Sequence, residues 1–159
     1  EVSFKNPKNT LTIGDDVYKL QQFHFHAPSE NEIDGQTYPL EGHFVYKTDN
    51  GKITVISVLY NYGDENQALK QIWDKMPQAA NTETELSQPI SLDDFYPEDK
   101  DYYNFEGSLT TPPCTEGVNW IVFKNQETVS KEQVEKFTQT LGFENNRPIQ
   151  DTNGRQIKE

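Results

Sequence analysis

The chain is poor in several residue types, and each shortage excludes something. Its 159 residues include one cysteine, Cys114, so no disulfide can form within the chain. No apolar run approaches the roughly 18 residues that a membrane-spanning helix needs, which predicts that no segment spans a membrane. Basic side chains number 14 against 26 acidic ones, and the formal net charge of −12 argues against a nucleic-acid partner. The first residues also lack the basic and apolar segments of a signal peptide.

The residues that are abundant favour a sheet. Aromatic residues make up 12% of the chain, and alternating apolar residues between turn signals predict strands. The length fits one domain, residues 1–159. The segment 52–61 is apolar on both faces, which predicts a central strand. The predicted strands are Leu11–Ile13, Val17–His26, Tyr38–Lys47, Lys52–Asn61, Tyr102–Phe105 and Val118–Phe123.

Two helices are predicted beside the strands. The first spans Asp64–Met76, with Asp64 as its N-cap. The second runs from Ser130, which forms a capping box with Gln133, to Gly142. The polar stretch 78–101 is interpreted as a surface excursion with one short helical turn. The predicted fold class is therefore mainly β, of the α+β type, with a twisted, largely antiparallel central sheet and peripheral helices.

The three histidines are the most informative residues of the chain, because His24, His26 and His43 are the only ones and fall within twenty residues. Strand alternation puts His24 and His26 on one face, and the strand from Tyr38 to Lys47 can bring His43 beside them. Three imidazoles on rigid strands suit Zn²⁺. Three protein ligands also leave a fourth position open, as in catalytic rather than structural zinc sites.

A plainer interpretation of the same residues is an ordinary buried aromatic strand that contains two histidines. The neighbouring side chains favour the metal. Gln22 shares a face with His24 and His26, and Glu41 shares a face with His43, so each could accept the outer ring N–H of a ligand. A strand without a metal has little use for a carboxylate that points the same way as a buried imidazole. A β-rich domain without a metal remains the alternative.

Several motifs, in order along nearly the whole chain, resemble the α-class carbonic anhydrases of the bacterial type. They are Gln22-Phe-His-Phe-His26, Ser29-Glu30, Glu41-Gly-His43-Phe-Val45, Gly107-Ser-Leu-Thr-Thr-Pro-Pro113, Glu116-Gly-Val-Asn-Trp120, Asn145-Asn-Arg-Pro148 and Gly154-Arg-Gln-Ile-Lys158. Several motifs in the right order are far more specific than any one of them. The resemblance implies a carbonic-anhydrase-like fold and a Zn²⁺ enzyme. It also implies carbon dioxide and bicarbonate as substrates, with zinc-bound hydroxide as the attacking group.

The resemblance also assigns roles to individual residues. It implies His24, His26 and His43 as zinc ligands, with Gln22, Glu41 and the backbone carbonyl of Asn145 orienting them. Thr110 would accept a hydrogen bond from the hydroxide and donate its own hydroxyl hydrogen bond to Glu30. This arrangement would point a lone pair of the hydroxide at the substrate. Thr111 resembles a neighbouring position that contacts substrate. The apolar wall for carbon dioxide would consist of Val45, Val55, Leu109 and Trp120, residues that equally suit an ordinary sheet core.

Relative to this family, roughly the first quarter to third of the domain is missing from the chain, judged against ordinary domain sizes. The missing part would carry the proton-shuttling histidine and the cysteine that pairs with Cys114 in relatives. We therefore expect either a homodimer or completion by a missing N-terminal segment. The resemblance further implies a periplasmic or secreted protein. The alternatives to an enzyme are a non-catalytic carbonic-anhydrase-like binding or structural domain, and an inactive fragment that still binds zinc.

Overall fold

A computed structural model describes residues 1–5, 8–86 and 88–159 of the chain. Within these residues, eight strands form one sheet with the spatial order β1-β3-β4-β5-β7-β6, while β2 pairs with β3 and β8 pairs with β5. The β5–β7 and β5–β8 pairs are parallel and the others antiparallel. The strands are β1 (Val2–Ser3), β2 (Thr10–Ile13), β3 (Asp16–His26), β4 (Leu40–Lys47), β5 (Ile53–Tyr62), β6 (Tyr102–Ser108), β7 (Glu116–Phe123) and β8 (Glu127–Val129).

The predicted fold class is confirmed, and so is the central position of β5, most of whose residues are buried. Every predicted strand is present, with ends that differ by a few residues. The prediction omitted β1 and β8, which have two and three residues, because segments this short show no period-two pattern. The turn between β2 and β3 places Gly14 at φ 59°, a left-handed conformation that suits glycine.

The predicted start and end of the first helix are wrong. Helix α1 spans Gln67–Trp73, and its N-cap is Asn66, whose side-chain oxygen accepts from the Leu69 amide at 3.0 Å. Asp64 therefore lies outside the helix, because the two polar residues that follow it include an equally good cap closer to the apolar stripe. Helix α2 spans Lys131–Leu141 with the predicted capping box at Ser130, and it ends at the predicted Gly142, which is left-handed. A 3₁₀ turn spans Leu92–Asp94.

The sheet separates two apolar clusters, one on each face. The larger cluster contains Phe23, Phe25, Phe44 and the buried residues of both helices. The smaller cluster lies on the other face and contains Val55, Leu59, Val118, Trp120 and Val122. Because successive residues of a strand point to opposite faces, the histidines that alternate with Phe23 and Phe25 share the face of the smaller cluster. The functional candidates therefore lie together on one side of the sheet.

Candidate metal centre

The three histidines meet on two neighbouring strands. His24 lies directly opposite His43 in the β3–β4 register, and His26 is two residues along β3. Their ring centroids are 5.0 Å apart for His24–His26, 5.4 Å for His24–His43 and 4.7 Å for His26–His43. One ligand nitrogen from each ring lies within 4.8 Å of the others. The geometry that alternation predicted is thus present.

Each ring uses its outer nitrogen for a protein contact. His24 Nδ1 lies 2.8 Å from Gln22 Oε1, His26 Nδ1 lies 2.9 Å from the Asn145 carbonyl oxygen, and His43 Nε2 lies 2.8 Å from Glu41 Oε1. These oxygens can only accept, so the outer nitrogens carry the protons. The lone pairs are then on Nε2 of His24, Nε2 of His26 and Nδ1 of His43. The three partners predicted from the resemblance are the ones observed.

The donor set fits a zinc ion. His26 Nε2 is buried and has no hydrogen-bond partner among the described residues, which is costly for a polar atom unless something else binds it. Three neutral imidazole nitrogens with converging lone pairs are ligands that Zn²⁺ prefers, and outer contacts of this kind hold the rings for it.

Glu41 is a fully buried carboxylate that several donors surround. Its Oε2 accepts from the backbone amides of Glu30 at 2.6 Å and Asn31 at 2.9 Å, while Oε1 accepts from Asn31 Nδ2 at 2.6 Å and Ser57 Oγ at 2.5 Å. Burial alone raises the pKa of Glu41. The His43 ring at 2.8 Å and the hydrogen bonds from Ser57 and Asn31 outweigh burial and hold the pKa at about 2. The carboxylate is therefore ionised and rigid.

Burial also keeps two of the imidazoles neutral. Burial, followed by the nearby His43 and His26, lowers the pKa of His24 to about 3. Burial is likewise the main cause that lowers the pKa of His26, followed by the neighbouring His43. A metal ligand must be deprotonated, so lowered pKa values reduce the competition between protons and a metal.

The lowered pKa of His24 predicts that the metal-free chain loses stability in acid. Between pH 6.5 and 3 the unfolded chain binds a proton on His24 and the folded chain does not, so stability is full above pH 6.5 and falls on acidification. We expect a loss on the order of a few kcal/mol. Urea unfolding of the metal-free chain at pH 7 and pH 4 measures it. His24→Gln should show a smaller loss over the same range, and an equal loss in that variant would contradict the assignment.

Glu30 lies between the histidines and the C-terminal segment, with its side chain 2% exposed. Its Oε1 accepts from the Arg147 amide at 2.6 Å and lies 3.2 Å from His26 Nδ1. Its Oε2 is 3.8 Å from His43 Nδ1 and accepts no hydrogen bond from the described residues. The predicted hydrogen bond from Thr110 to Glu30 is not among those the described residues form. The relay therefore stays a prediction, and Glu30 Oε2 is free to accept it.

The predicted apolar wall is assembled beside the histidines. Val45 lies opposite Gln22 and Val55, and Val55 lies opposite Trp120, so these residues form one row across the sheet. Leu109 and Val45 pack against the same cluster. The Trp120 ring contacts the His43 ring edge-on, with 4.9 Å between centroids. The apolar wall thus contacts a candidate zinc ligand directly, through the Trp120 ring.

An open cleft of about 440 Å³ lies next to the Thr-Thr-Pro-Pro loop. Thr110 is half-buried and Thr111 exposed, and both line the cleft, as do the free Cys114 and Arg147. The lining also includes Asn145, whose backbone carbonyl contacts His26 Nδ1. The cleft therefore gives small molecules access to the side of the site where the predicted catalytic threonine lies.

Sequence reasoning missed several residues that hold the site. Ser57 and Asn31 bind Glu41, and the Arg147 amide binds Glu30. Asn145 also accepts from the Ala27 amide and donates to the Phe25 carbonyl, so its side chain fixes the loop whose carbonyl binds His26. The one signal available for Ser57 was a polar residue in an otherwise apolar strand.

In the described ranges of the chain, no helix is long and apolar enough to cross a membrane.

Comparison with known proteins agrees with this geometry. A family model described as eukaryotic-type carbonic anhydrase matches residues 1–159. The carbonic anhydrase of Pectobacterium carotovorum is 46% identical over 152 residues, which are 96% of this chain and 62% of that protein. The carbonic anhydrase of Neisseria gonorrhoeae is 46% identical over 159 residues, which are 100% of this chain and 63% of that protein. The chain therefore spans about three fifths of the length of these curated relatives.

A solved structure shows the same fold. The α-carbonic anhydrase of Thermovibrio ammonificans, in complex with the inhibitor sulfanilamide, superposes with a TM-score of 0.92 and 45% sequence identity. The match covers 95% of this chain and 67% of that chain. The resemblance inferred from the motifs is confirmed, and the chain belongs to the eukaryotic-type carbonic anhydrase family.

Proposed function

We propose that the protein catalyses the reversible hydration of carbon dioxide to bicarbonate and a proton, with zinc held by His24, His26 and His43. The observation that carries the proposal is the convergence of three unprotonated ring nitrogens beside an apolar wall and a threonine loop. Family membership supports the same activity. When bound, zinc supplies a Lewis acid that lets water ionise with a pKa of about 7, the established value for carbonic anhydrase.

The apolar wall suits a substrate without charge. Carbon dioxide offers no group for a salt bridge, so a surface of Val45, Val55, Leu109 and Trp120 holds it by exclusion of water rather than by specific bonds. Bicarbonate, the product, is charged and is poorly solvated against such a surface. The wall therefore favours the entry of the neutral substrate and the departure of the anion.

Thr110 and Glu30 supply orientation. Glu30 Oε2 is a buried acceptor without a donor among the described residues, so a Thr110 hydroxyl that turns toward it must donate there. The Thr110 oxygen can then only accept from an attacking hydroxide. This arrangement leaves the hydroxide with a lone pair directed at carbon dioxide, which gives the reacting atoms their alignment.

The proton released by hydration leaves directly to buffer in this chain. The three histidines of the 159 residues are all committed to the metal site, so no further imidazole in these residues can carry the proton. Proton transfer is then the slow step, and an imidazole-type buffer accelerates it.

The experiment is a stopped-flow hydration assay on the zinc-loaded chain, with the metal-free chain as blank. We expect zinc-dependent hydration whose rate climbs with imidazole concentration. A chain that binds one zinc yet hydrates no carbon dioxide at any buffer concentration would instead be a non-catalytic carbonic-anhydrase-like domain or an inactive fragment. Full turnover that is independent of buffer would contradict only the proposed route of proton release and not the hydration activity.

Thr110→Ala is expected to keep zinc but to lower the hydration rate by about 10²-fold, the cost of one lost orienting contact. Thr115→Ala is the matched control, because Thr115 lies in the same loop with an exposed side chain. Zinc content by elemental analysis and hydration rate are measured for both variants. Loss of zinc in Thr110→Ala would make the residue structural, and a wild-type rate would remove it from the mechanism.

For the assembly, we propose that the protein functions either as a homodimer or with the site face completed by a further N-terminal segment. Sedimentation analysis of the chain with and without such a segment tests this, and a monodisperse, fully active monomer of the chain alone would contradict it.

We also propose a bacterial protein that is periplasmic or secreted. Fractionation of source cells tests the location, and recovery in the cytoplasm alone would contradict it.

A further inference from the structure

Trp120 is held in a narrow slot between a metal ligand and the edge strand. One side of the indole contacts the His43 ring at 4.9 Å between centroids. Phe105 of β6 stacks on the indole at 6.1 Å with an angle of 3° between the rings. The indole nitrogen donates to the Ser108 carbonyl at 3.1 Å. Trp120 is 3% exposed, so its position is set on every side by neighbours.

Gly107 closes this slot from the backbone of β6. A β-carbon added at Gly107 would lie 2.9 Å from Cδ1 and 3.1 Å from Nε1 of Trp120, and 3.3 Å from Arg155 Nη1. Carbon atoms in contact normally lie about 3.5–4.0 Å apart. The Arg155 side chain is exposed and can move, but the indole is packed on His43 and cannot. The glycine is not explained by its backbone, because its φ is not positive.

We propose that Gly107 is a positioning residue for the metal centre, which it serves by letting Trp120 pack against His43. This inference rests on the proposed zinc site and adds a residue of β6 to it. Glu41 contacts the His43 ring at Nε2 and thereby fixes its tautomer. The indole is the ring's second support, and the two together set the direction of the His43 Nδ1 lone pair.

The same sheet offers a matched control at Gly63, after the end of β5. A β-carbon there would lie 2.9 Å from Thr128 Cγ2, a clash as severe as that at Gly107, and its φ is not positive either. Thr128 lies in β8 and contributes no atom to the metal site. Gly63→Ala therefore imposes the same crowding away from the histidines.

The experiment measures the zinc dissociation constant by competition with a chromophoric chelator for five proteins. These are the wild type, Gly107→Ala, Gly63→Ala, Trp120→Phe and the double variant Gly107→Ala/Trp120→Phe. Gly107→Ala should weaken zinc binding by about tenfold or more, the scale for lost outer contacts of a ligand. Gly63→Ala should bind zinc as the wild type does. A phenyl ring is smaller than an indole, so the double variant should match Trp120→Phe alone.

A folded Gly107→Ala with wild-type zinc affinity would overturn the inference. If Gly107→Ala does not fold, the double variant decides, because binding equal to that of Trp120→Phe supports the inference and weaker binding overturns it. Equal losses in Gly107→Ala and Gly63→Ala would show general destabilisation and also overturn it. A wild-type chain that binds no zinc would instead refute the proposed function, and this inference with it.

Discussion

His43→Ala is expected to bind zinc at least about 10²-fold more weakly than the wild type, beyond the range for loss of an outer contact. His43 supplies the one ligand of β4, and its removal leaves only two nitrogens of β3, too few for a tetrahedral site. The variant also leaves the buried Glu41 carboxylate without its histidine partner. Zinc content after dialysis against a weak chelator, measured by elemental analysis, gives the result.

Gln21→Ala is the control for this experiment. Gln21 lies on β3, the strand of two of the ligands, but its side chain is exposed and, among the described residues, donates to the Lys19 carbonyl alone. We expect this variant to retain one zinc per chain. Unchanged zinc stoichiometry in His43→Ala would refute the ligand assignment.

Glu41→Ala is expected to lower the free energy of unfolding of the metal-free chain by about 3–5 kcal/mol, the cost of removing one partner from a buried charged network. The change leaves the donors of Glu30, Asn31, Ser57 and His43 without an acceptor in a site that excludes water. Urea unfolding monitored by fluorescence measures the loss. Zinc affinity should fall as well, since His43 loses the contact that fixes its tautomer.

Two further variants provide smaller effects for comparison. Ser57→Ala removes a single donor and should cost about 1 kcal/mol. Glu135→Ala removes an exposed carboxylate of α2 and should stay within about 0.5 kcal/mol of the wild type. A Glu41→Ala variant as stable as Glu135→Ala would show that the buried network does not support the fold.

Local patterns predicted the ligands because strand geometry is local. Period-two alternation alone places His24, His26 and Gln22 on one face, and the β3–β4 register then aligns His43 with His24. The face with the Phe23 and Phe25 side chains is apolar for the same reason. Long, strongly patterned strands are the elements that a single sequence specifies best.

Contacts between distant parts of the chain could be predicted only from the family resemblance. Asn145 is 119 residues from His26, and no local pattern links them. The wall residue Trp120 meets His43 only because β5 and β7 pair in parallel, an arrangement that hydropathy does not specify. The prediction of the α1 N-cap was wrong for a different reason. Asp64 and Asn66 are both good N-cap residues, and tertiary contacts favour Asn66. Its side chain also donates to the Thr128 carbonyl.

The role of Gly107 shows what sequence patterns leave out. In the sequence it is one residue of a loop motif, and its backbone needs no glycine. Only the atoms around it reveal that a methyl group would strike the indole that supports a metal ligand.

X-ray absorption at the zinc edge of the zinc-loaded chain tests the three-histidine centre most directly. We expect one zinc per chain with three nitrogen neighbours at about 2.0–2.1 Å, the outer-shell pattern of imidazole rings and one further light atom. A sulfur neighbour at about 2.3 Å, which only Cys114 or the lone methionine could supply, or a spectrum with fewer than three imidazoles, would contradict the account.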